Sequence, residues 1–543
     1  MSNEFRDEAV ATNVTPDLEG IDPEVHDRRW KILAVLCSSL LIVIIGNTVL
    51  NVALPTMMMP VDRGGLGADL TDAQWFVDAY SLVFAGLLFT AAAIGDRFGR
   101  KGALQAGLLV FGLGSLIGAI ADDSAMVIVA RVVMGVGAAF VMPSTLSILT
   151  NVFTTRERAK AIAIWAGISG AGAAVGPIAS GLLLEHYWWG SVFLINIPII
   201  AVALVAGQRL VPKSSDADKT PLDPVGSVLS IVGLSALIYA IIEGPHHGWT
   251  SVTSLLWFGG AVLALVAWAL WELRARHPML DLKLFSNRRF SVASGGITLI
   301  FFAMFGTFFM ITQYLQGVLD YSPLGAAVRL LPISAMMMFV APQTPRLVAH
   351  FGANRVGATG LATLAVAMVG ITMFQTDTSY LQLVITMMVM AGGMALTMTP
   401  MTTQLMASVP LNRAGMGSAT NDTTRELGGA LGVAVLGSMV TSHYASKMAE
   451  VTADLPAQVA DVVEGSVGGV QGLIAEQVLP ADTPLLGLAK SAFVDGLNLA
   501  ATVGAVIIVI AALLVWRLLP SDRHNAAVVG DDEEDQLVTT PGT

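Results

Sequence analysis

Four ionisable side chains stand in stretches that are otherwise apolar. Asp78 lies in Trp75-Phe76-Val77-Asp78-Ala79-Tyr80, Arg131 opens Arg131-Val132-Val133-Met134-Gly135, and Arg425 and Glu426 are neighbours just before Gly428-Gly429. A charge at the centre of a bilayer costs about 3 kcal/mol on insertion scales, and residues kept at that cost mark proton relays and ion pathways. A carboxyl can take up and release a proton, so Asp78 and Glu426 are candidate proton carriers. Arg131 is either a structural partner for backbone carbonyls or a residue assisting proton transfer. The plainer readings are an interfacial acid at Asp78 and an internal ion pair at Arg425 and Glu426. Against the ion pair, adjacent residues of a helix do not share a face. No cluster of metal ligands accompanies these charges. Cys37 is the single cysteine, which excludes an internal disulfide and a cysteine-based metal site. The eight histidines are scattered, and His246-His247 falls in an outer loop. No nucleotide-binding loop or soluble domain is evident, so an enzyme is disfavoured and no cofactor or metal is expected.

The elements that position these residues follow from composition. The chain has 543 residues, 54% hydrophobic and 13% charged, with mean hydropathy +0.70. Soluble domains carry roughly a quarter charged residues, and this chain could not cover itself with a polar surface. A helix needs about 20 apolar residues to cross the hydrocarbon core. Fourteen such runs are present, at 31–54, 74–94, 102–121, 125–149, 160–184, 191–211, 225–243, 252–272, 291–315, 325–347, 356–375, 381–406, 418–444 and 491–519, numbered spans 1 to 14. Span 7 is just long enough, and span 13 starts polar. With both termini inside, the loops from Arg97-Arg100-Lys101 to Arg413 and Arg517 carry nearly all Lys and Arg, leaving Arg63, Lys447 and Lys490 outside. That asymmetry obeys the positive-inside rule, and one missed span would destroy it. Trp30, Trp271 and Trp516 fall at inner edges, and Trp75, Trp188, Trp189 and Trp249 at outer ones. The net charge of −11 comes largely from the tails and one loop and says little about partners. No signal-peptide pattern precedes span 1. The outer loop 445–490 reads as a spacer with short amphipathic helices, or more sharply as a lid over an outer vestibule. The tail from Ser521 is acidic and is expected to be disordered.

The loop between spans 2 and 3 reads Gly95-Asp96-Arg97-Phe98-Gly99-Arg100-Lys101. A basic cytoplasmic loop explains its arginines but not its acid or its glycines. The run resembles the loop between helices 2 and 3 of the major facilitator superfamily. Other motifs agree in order: Asn51-Val52-Ala53-Leu54-Pro55 closing span 1, Arg131 to Gly137 in span 4, Gly167 to Gly181 with Gly176-Pro177 in span 5, His277-Pro278 with Asp281 to Phe285 before span 9, and Arg413-Ala414-Gly415 through Gly428-Gly429 in span 13. Together, over about residues 30–520, they resemble the fourteen-helix drug:proton antiporter branch. Ala349-His350-Phe351-Gly352 echoes Asp96-Arg97-Phe98-Gly99 without the acid, as two parallel six-helix halves require.

The resemblance implies an all-α polytopic membrane protein with the major facilitator fold. Its parts are an N-terminal tail 1–29, a six-helix half 30–211, two inserted helices in 212–276, a second half 277–519 and a tail 520–543. It implies a proton-coupled exporter of amphipathic or cationic drugs in the bacterial inner membrane, functional as a monomer, partnered by a small amphipathic substrate, protons and the lipid bilayer, and not by nucleic acid. Gly95, Asp96, Arg97, Gly99 and Arg100 would form the inner gate. Gly172, Gly176 and Pro177 would be the antiporter motif, and small residues four apart do let helices approach closely. Asn51, Tyr80, Phe305, Phe309, Gln313 and Met337 would line the cavity, since methionine adapts to varied shapes and aromatic faces attract cations. One departure matters. Relatives usually carry an Asp two residues before the position of Thr48, and here Gly46 stands there. Either Asp78 carries the proton, or coupling rests on Glu426, or the protein is not proton-coupled. An acid restored at Gly46 is expected to compensate in part for loss of Asp78. Export of a lipid or cell-envelope precursor is the second transport reading, and a membrane enzyme or sensor the remote one.

Overall fold

In lipid every backbone N–H and C=O must be paired internally, which leaves helices for a chain of this composition. The computed structural model describes residues 18–520 apart from Pro60, 62–64, Asp69, 217–220, Asp454 and 481–482. The acidic tail from Ser521, with Arg523, lies outside the described residues, as do Arg63 and Lys219. Among the described residues, thirteen helices are long and apolar enough to cross a membrane. The one expected span not among them, span 13, is Ala414–Thr452, a continuous helix of 39 residues, whose polar first turns keep it below that threshold. It is nevertheless a full member of the bundle. The protein is a multi-pass membrane protein built from helices.

Several helices overrun the limits read from hydropathy. Span 14 is Pro484–Leu518 and span 7 is Pro224–His247. Hydropathy ends where the lipid ends, whereas backbone hydrogen bonding continues to the next cap. Such caps are Asp223, accepting from the Gly226 N–H with Pro224 in the first turn, and Ser379, accepting from the Gln382 N–H. Span 10 is instead broken into Pro323–Arg329, Leu331–Val340, a short turn Ala341–Gln343, and Thr344–Phe351. Pro332, Pro342 and Pro345 each remove a donor from its ladder.

The helix pairings repeat. Span 1 packs on spans 4, 5 and 6, span 2 on 4, and span 3 on 4 and 6. In the second half, span 9 packs on spans 12, 13 and 14, span 10 on 12, and span 11 on 12 and 14. These are the same contacts shifted by eight spans, as expected of two parallel repeats. Spans 7 and 8, Pro224–His247 and Val252–Glu272, pack on each other. They join the bundle through span 7, which lies against spans 2 and 13. The halves meet where spans 2 and 4 touch span 13 and where span 5 touches spans 10 and 12.

Close approach inside each half uses the same device twice. A Cβ on Gly172 would press on Leu41 and Ile44 of span 1, and one on Gly176 on Thr48. A Cβ on Gly428 would press on the Thr298 backbone of span 9, and one on Gly432 on that of Phe302. Each pair is four residues apart, the spacing that lets two helix backbones approach. The echo of the loop between spans 2 and 3 is also structural: Gly99 (φ 122°) and Gly352 (φ 87°) both cap the following span in a conformation that favours glycine.

Loop 445–490 contains two short helices, Ala457–Gly465 and Val467–Ala475. The Tyr444 hydroxyl donates to the Val463 carbonyl at 2.8 Å, and Gln471 donates to Gly317 and Asp320. Lys490 pairs with the same Asp320. These contacts hold the segment on the ends of spans 9, 13 and 14, all in the second half.

Candidate functional site

A cavity of about 510 Å³ lies between the halves. Span 9 supplies Phe301, Phe305, Phe308 and Phe309, spans 10 and 12 supply Met337, Met394 and Met398, and span 2 supplies Tyr80 and Phe84. Of the residues expected to line it, Tyr80, Phe305, Phe309, Gln313 and Met337 do so. The side chain of Asn51 lies outside the described residues, but Asn47 and Thr48, one turn earlier, are on the wall. Pro177 also reaches the cavity, while Gly172 and Gly176 face span 1.

The charged groups on this wall are Asp422, Arg425 and Glu426, all from span 13. Arg425 Nη2 donates to Ser169 Oγ of span 5 at 2.7 Å, and Nη1 lies 3.8 Å from Asp422 Oδ1. Its guanidinium carbon is 5.3 Å from the Trp165 ring and 4.7 Å from that of Phe301, within cation–π range. The Asp422 side chain is fully buried. Asn421 donates to its Oδ1 at 3.1 Å, and its Oδ2 has no hydrogen-bond partner. Asp422 was missed in the sequence because it falls in the polar opening of span 13. The available signal was its place one helical turn before Glu426, which puts both on one face.

Arg131 is fully buried in the first half. Its Nε donates to the Phe76 carbonyl at 2.6 Å, its Nη1 to the Gly46 carbonyl at 2.9 Å, and its Nη2 to Asn47 Oδ1 at 3.4 Å. It also stacks 4.4 Å from the Tyr80 ring. The guanidinium thus ties spans 1, 2 and 4 together, and the backbone oxygen of Gly46 takes one of its bonds. A Cβ at Gly46 would sit 2.5 Å from the Phe111 ring and 3.2 Å from Met134, so an acid fits there only if the Phe111 ring moves. Asp78 is not on the cavity wall. It bonds to Gln74, which in turn donates to Glu243 of span 7 at 3.1 Å, and Glu243 also meets His247. The seam between spans 2 and 7 therefore holds its own carboxyl pair, separate from the cavity.

At the end of the bundle formed by the Gly95–Lys101 loop, Asp96 and Arg100 bridge the halves. Arg100 Nε donates to Asp96 Oδ1 at 2.7 Å, and its Nη2 donates to the carbonyls of Leu411 and Asn412, each at 3.1 Å. The Gly415 N–H, in the first turn of span 13, donates to both Asp96 oxygens, at 3.0 and 3.2 Å. A negative charge is well placed at a helix N-terminus, and a Cβ on Gly415 would collide with that carboxylate. Gly99, at φ 122°, makes the turn, and Gly95, still within the helix of span 2, leaves room for Ala103 of span 3. A hydrogen bond from the Asp216 N–H to the Asp96 carbonyl, and one from the Arg100 N–H to that of Ser214, tie the strap after span 6 to the same point. Arg97 instead lies over the Phe98 ring, beside a small pocket that Asp96, Asp216 and His277 also line.

The family model described as Major Facilitator Superfamily matches residues 36–433. The chain belongs to the major facilitator superfamily. Among relatives of this superfamily, the multidrug efflux pump LfrA of Mycolicibacterium smegmatis is 35% identical over 90% of this chain and 96% of its own. The multidrug resistance protein Stp of Mycobacterium tuberculosis is 32% identical over 94% and 96%. The tetracenomycin C resistance and export protein of Streptomyces glaucescens is 31% identical over 95% and 96%. Among solved structures of the major facilitator fold, the human organic anion transporter MFSD10 (TETRAN) matches with TM-score 0.59 at 12% identity, over 90% of this chain and 99% of that one. The proton:xylose symporter XylE matches with TM-score 0.57 at 14% identity, over 91% and 96%. As a major facilitator the protein is a membrane transporter and not an enzyme.

Proposed function

We propose that the protein exports amphipathic, cationic small molecules from a bacterial cell by alternating access, driven by exchange for protons. The observation that carries this reading is the central cavity: a wall of phenylalanine and methionine whose charged groups are two carboxyls and one guanidinium. Such a wall accepts varied apolar shapes, favours cations over aromatic faces, and leaves one negative charge in excess for a cation or a proton. The names of the relatives, multidrug efflux and resistance proteins, agree with it.

Coupling is assigned to Glu426, with Asp422 one turn away, because both line the space a substrate would fill. Arg131 braces spans 1, 2 and 4. Asp78 ranks below Glu426, since it faces span 7 instead of the cavity. The Asp96–Arg100 bridge to span 13 is the inner gate, closed in this conformation. Both termini are assigned to the cytoplasm, the protein acts as a monomer, and loop 445–490 lies outside as a fixed part of the second half.

Reconstitution into liposomes tests this. With an imposed pH gradient, a panel of cationic dyes and phospholipids should show concentrative transport of the dyes alone. Movement of lipid without dye would replace the reading by lipid export, and equal dye accumulation with and without the gradient would remove proton coupling.

A further inference from the structure

We infer that Arg425 is a built-in competitor for the transported cation, and that displacing it unlatches the two halves of the protein. The inference rests on the cavity being the substrate site. It begins with the repeat. Gly172 and Gly176 of span 5 do for span 1 what Gly428 and Gly432 of span 13 do for span 9. In each helix the residue three positions before the first glycine is then equivalent, and those residues are Ser169 and Arg425. They touch: the guanidinium donates to the hydroxyl at 2.7 Å. A hydrogen bond between equivalent positions of two repeats lies at the axis that relates them. Few places are better suited to hold the halves together or let them part.

The surroundings of Arg425 are those expected of a cation site. One aromatic face comes from each half, Trp165 from span 5 and Phe301 from span 9. Two carboxyls, Asp422 and Glu426, share the wall. The guanidinium is only partly satisfied. Its Nη1 makes no hydrogen bond, and at 3.8 Å from Asp422 it forms a loose ion pair. The second Asp422 oxygen is likewise buried without a partner. A buried charge is stabilised fully only when hydrogen bonds meet all of its polar atoms. The pair is therefore held short of its best geometry, beside a cavity large enough to admit another cation.

A monovalent aromatic cation entering this space finds the same rings and carboxyls that now hold Arg425. Its binding releases the guanidinium from Asp422 and from Ser169, and with it the span 5–span 13 tie. A neutral amphipath can enter the apolar part of the cavity but has no claim on Asp422, and leaves the latch in place. Substrate selection and release of the halves are then one event, as differential binding to two states requires. Arg425 is a positioning and specificity residue, not a proton carrier.

The full-length protein in lipid nanodiscs tests this with two probes, tetraphenylphosphonium as the cation and Nile red as the uncharged amphipath. Arg425→Gln is expected to tighten tetraphenylphosphonium binding roughly tenfold, on the scale of a desolvated cation–π contact. Nile red binding should not change, and gradient-driven efflux should fall. Arg425→Lys, which keeps the charge, should bind close to the parent. Ser169→Ala should tighten tetraphenylphosphonium binding in the parent and add nothing in the Arg425→Gln background, because the two act through one bond. Unchanged or weaker tetraphenylphosphonium binding by folded Arg425→Gln, with binding still damaged by Glu426→Gln and Phe305→Ala, overturns the latch and leaves the cavity standing. If Glu426→Gln and Phe305→Ala also bind as the parent does, the cavity is not the substrate site and the proposed function falls with it. Should Arg425→Gln not fold, Ser169→Ala decides: parental affinity there overturns the inference.

Discussion

Asp96→Asn isolates the inner gate, because it keeps the shape and removes the charge. In this conformation the carboxylate holds a nearly fully buried arginine and the first turn of span 13 at once. Removing one partner of a buried ion pair costs about 3–5 kcal/mol. Arg100 keeps its two carbonyl acceptors across the interface, and asparagine still offers one oxygen, so the low end applies. About 3 kcal/mol corresponds to roughly a hundredfold shift of the gate equilibrium toward the open state. The cost arises only while the gate is closed, so folding should survive. Spin labels at Phe98 and Phe351, exposed positions at the ends of spans 2 and 10, report on the gate from opposite halves. The single buried cysteine, Cys37, is replaced by serine. The expected outcome is a distance distribution moved from near to far in Asp96→Asn, with substrate binding retained and turnover reduced. An unchanged distribution with parental transport at equal expression would refute the reasoning, since no other role has been given to this charge.

Other expectations follow from the same geometry. Glu426→Gln should abolish uphill, pH-driven efflux in proteoliposomes and leave downhill exchange measurable, whereas Asp78→Asn should still concentrate substrate; the reverse pattern would move coupling to the seam between spans 2 and 7. Gly46→Asp should lower the melting temperature and fail to rescue Asp78→Asn, because overpacking against Phe111 costs about 1–3 kcal/mol even before a charge is buried. Parental stability with restored efflux would show that the Phe111 ring yields. Pro177→Ala should slow turnover more than it weakens binding, read by comparing transport rate with equilibrium affinity, because Pro177 sits inside the helix that contacts both halves. A reporter inserted near Gly465 should be external and one after Arg523 cytoplasmic; both on one side would refute fourteen spans.

Much of this is legible in the sequence, and the reasons are particular. Apolar runs and the distribution of Lys and Arg define spans because insertion depends on the same two properties. The loop of Asp96 stood out because a basic loop accounts for its arginines but not for its acid, and that acid pairs with Arg100. Phe305, Phe309 and Met337 could be placed on the cavity because softness and aromaticity suit an adaptable wall. What could not be read is direction. Asp78 and Glu426 look alike in sequence, each an acid inside a span, and only helix rotation turns one toward span 7 and the other toward the cavity. Asp422 was hidden because it stands among the polar residues that open span 13, where an acid does not stand out against an apolar run, although the helix has begun two turns earlier at Ala414. Gly46 reads as a vacancy for an acid, but the tip of the Phe111 ring lies against it and would have to shift.

The asymmetry of the repeats then becomes informative. The scaffold is duplicated: helix pairings, glycine pairs and gate-loop glycines occur in both halves. The charges are not. Asp96 has no acidic counterpart before Gly352, and the equivalent of Arg425 is Ser169. Both unmatched features act on span 13, Asp96 at its first turn through Gly415 and the cavity acids at Asp422 and Glu426. From Gly415 to Arg425 is ten residues, about 15 Å at 1.5 Å per residue. One unbroken helix with no proline in its 39 residues spans that distance. A change of charge in the cavity and the closing of the gate are therefore two loads on a single rod, and a rigid element with two discrete seatings is what coupling between distant sites requires. On the function proposed above, the duplicated scaffold would supply the rocking motion, and the charges that have no counterpart in the other copy would make that motion depend on protons and substrate.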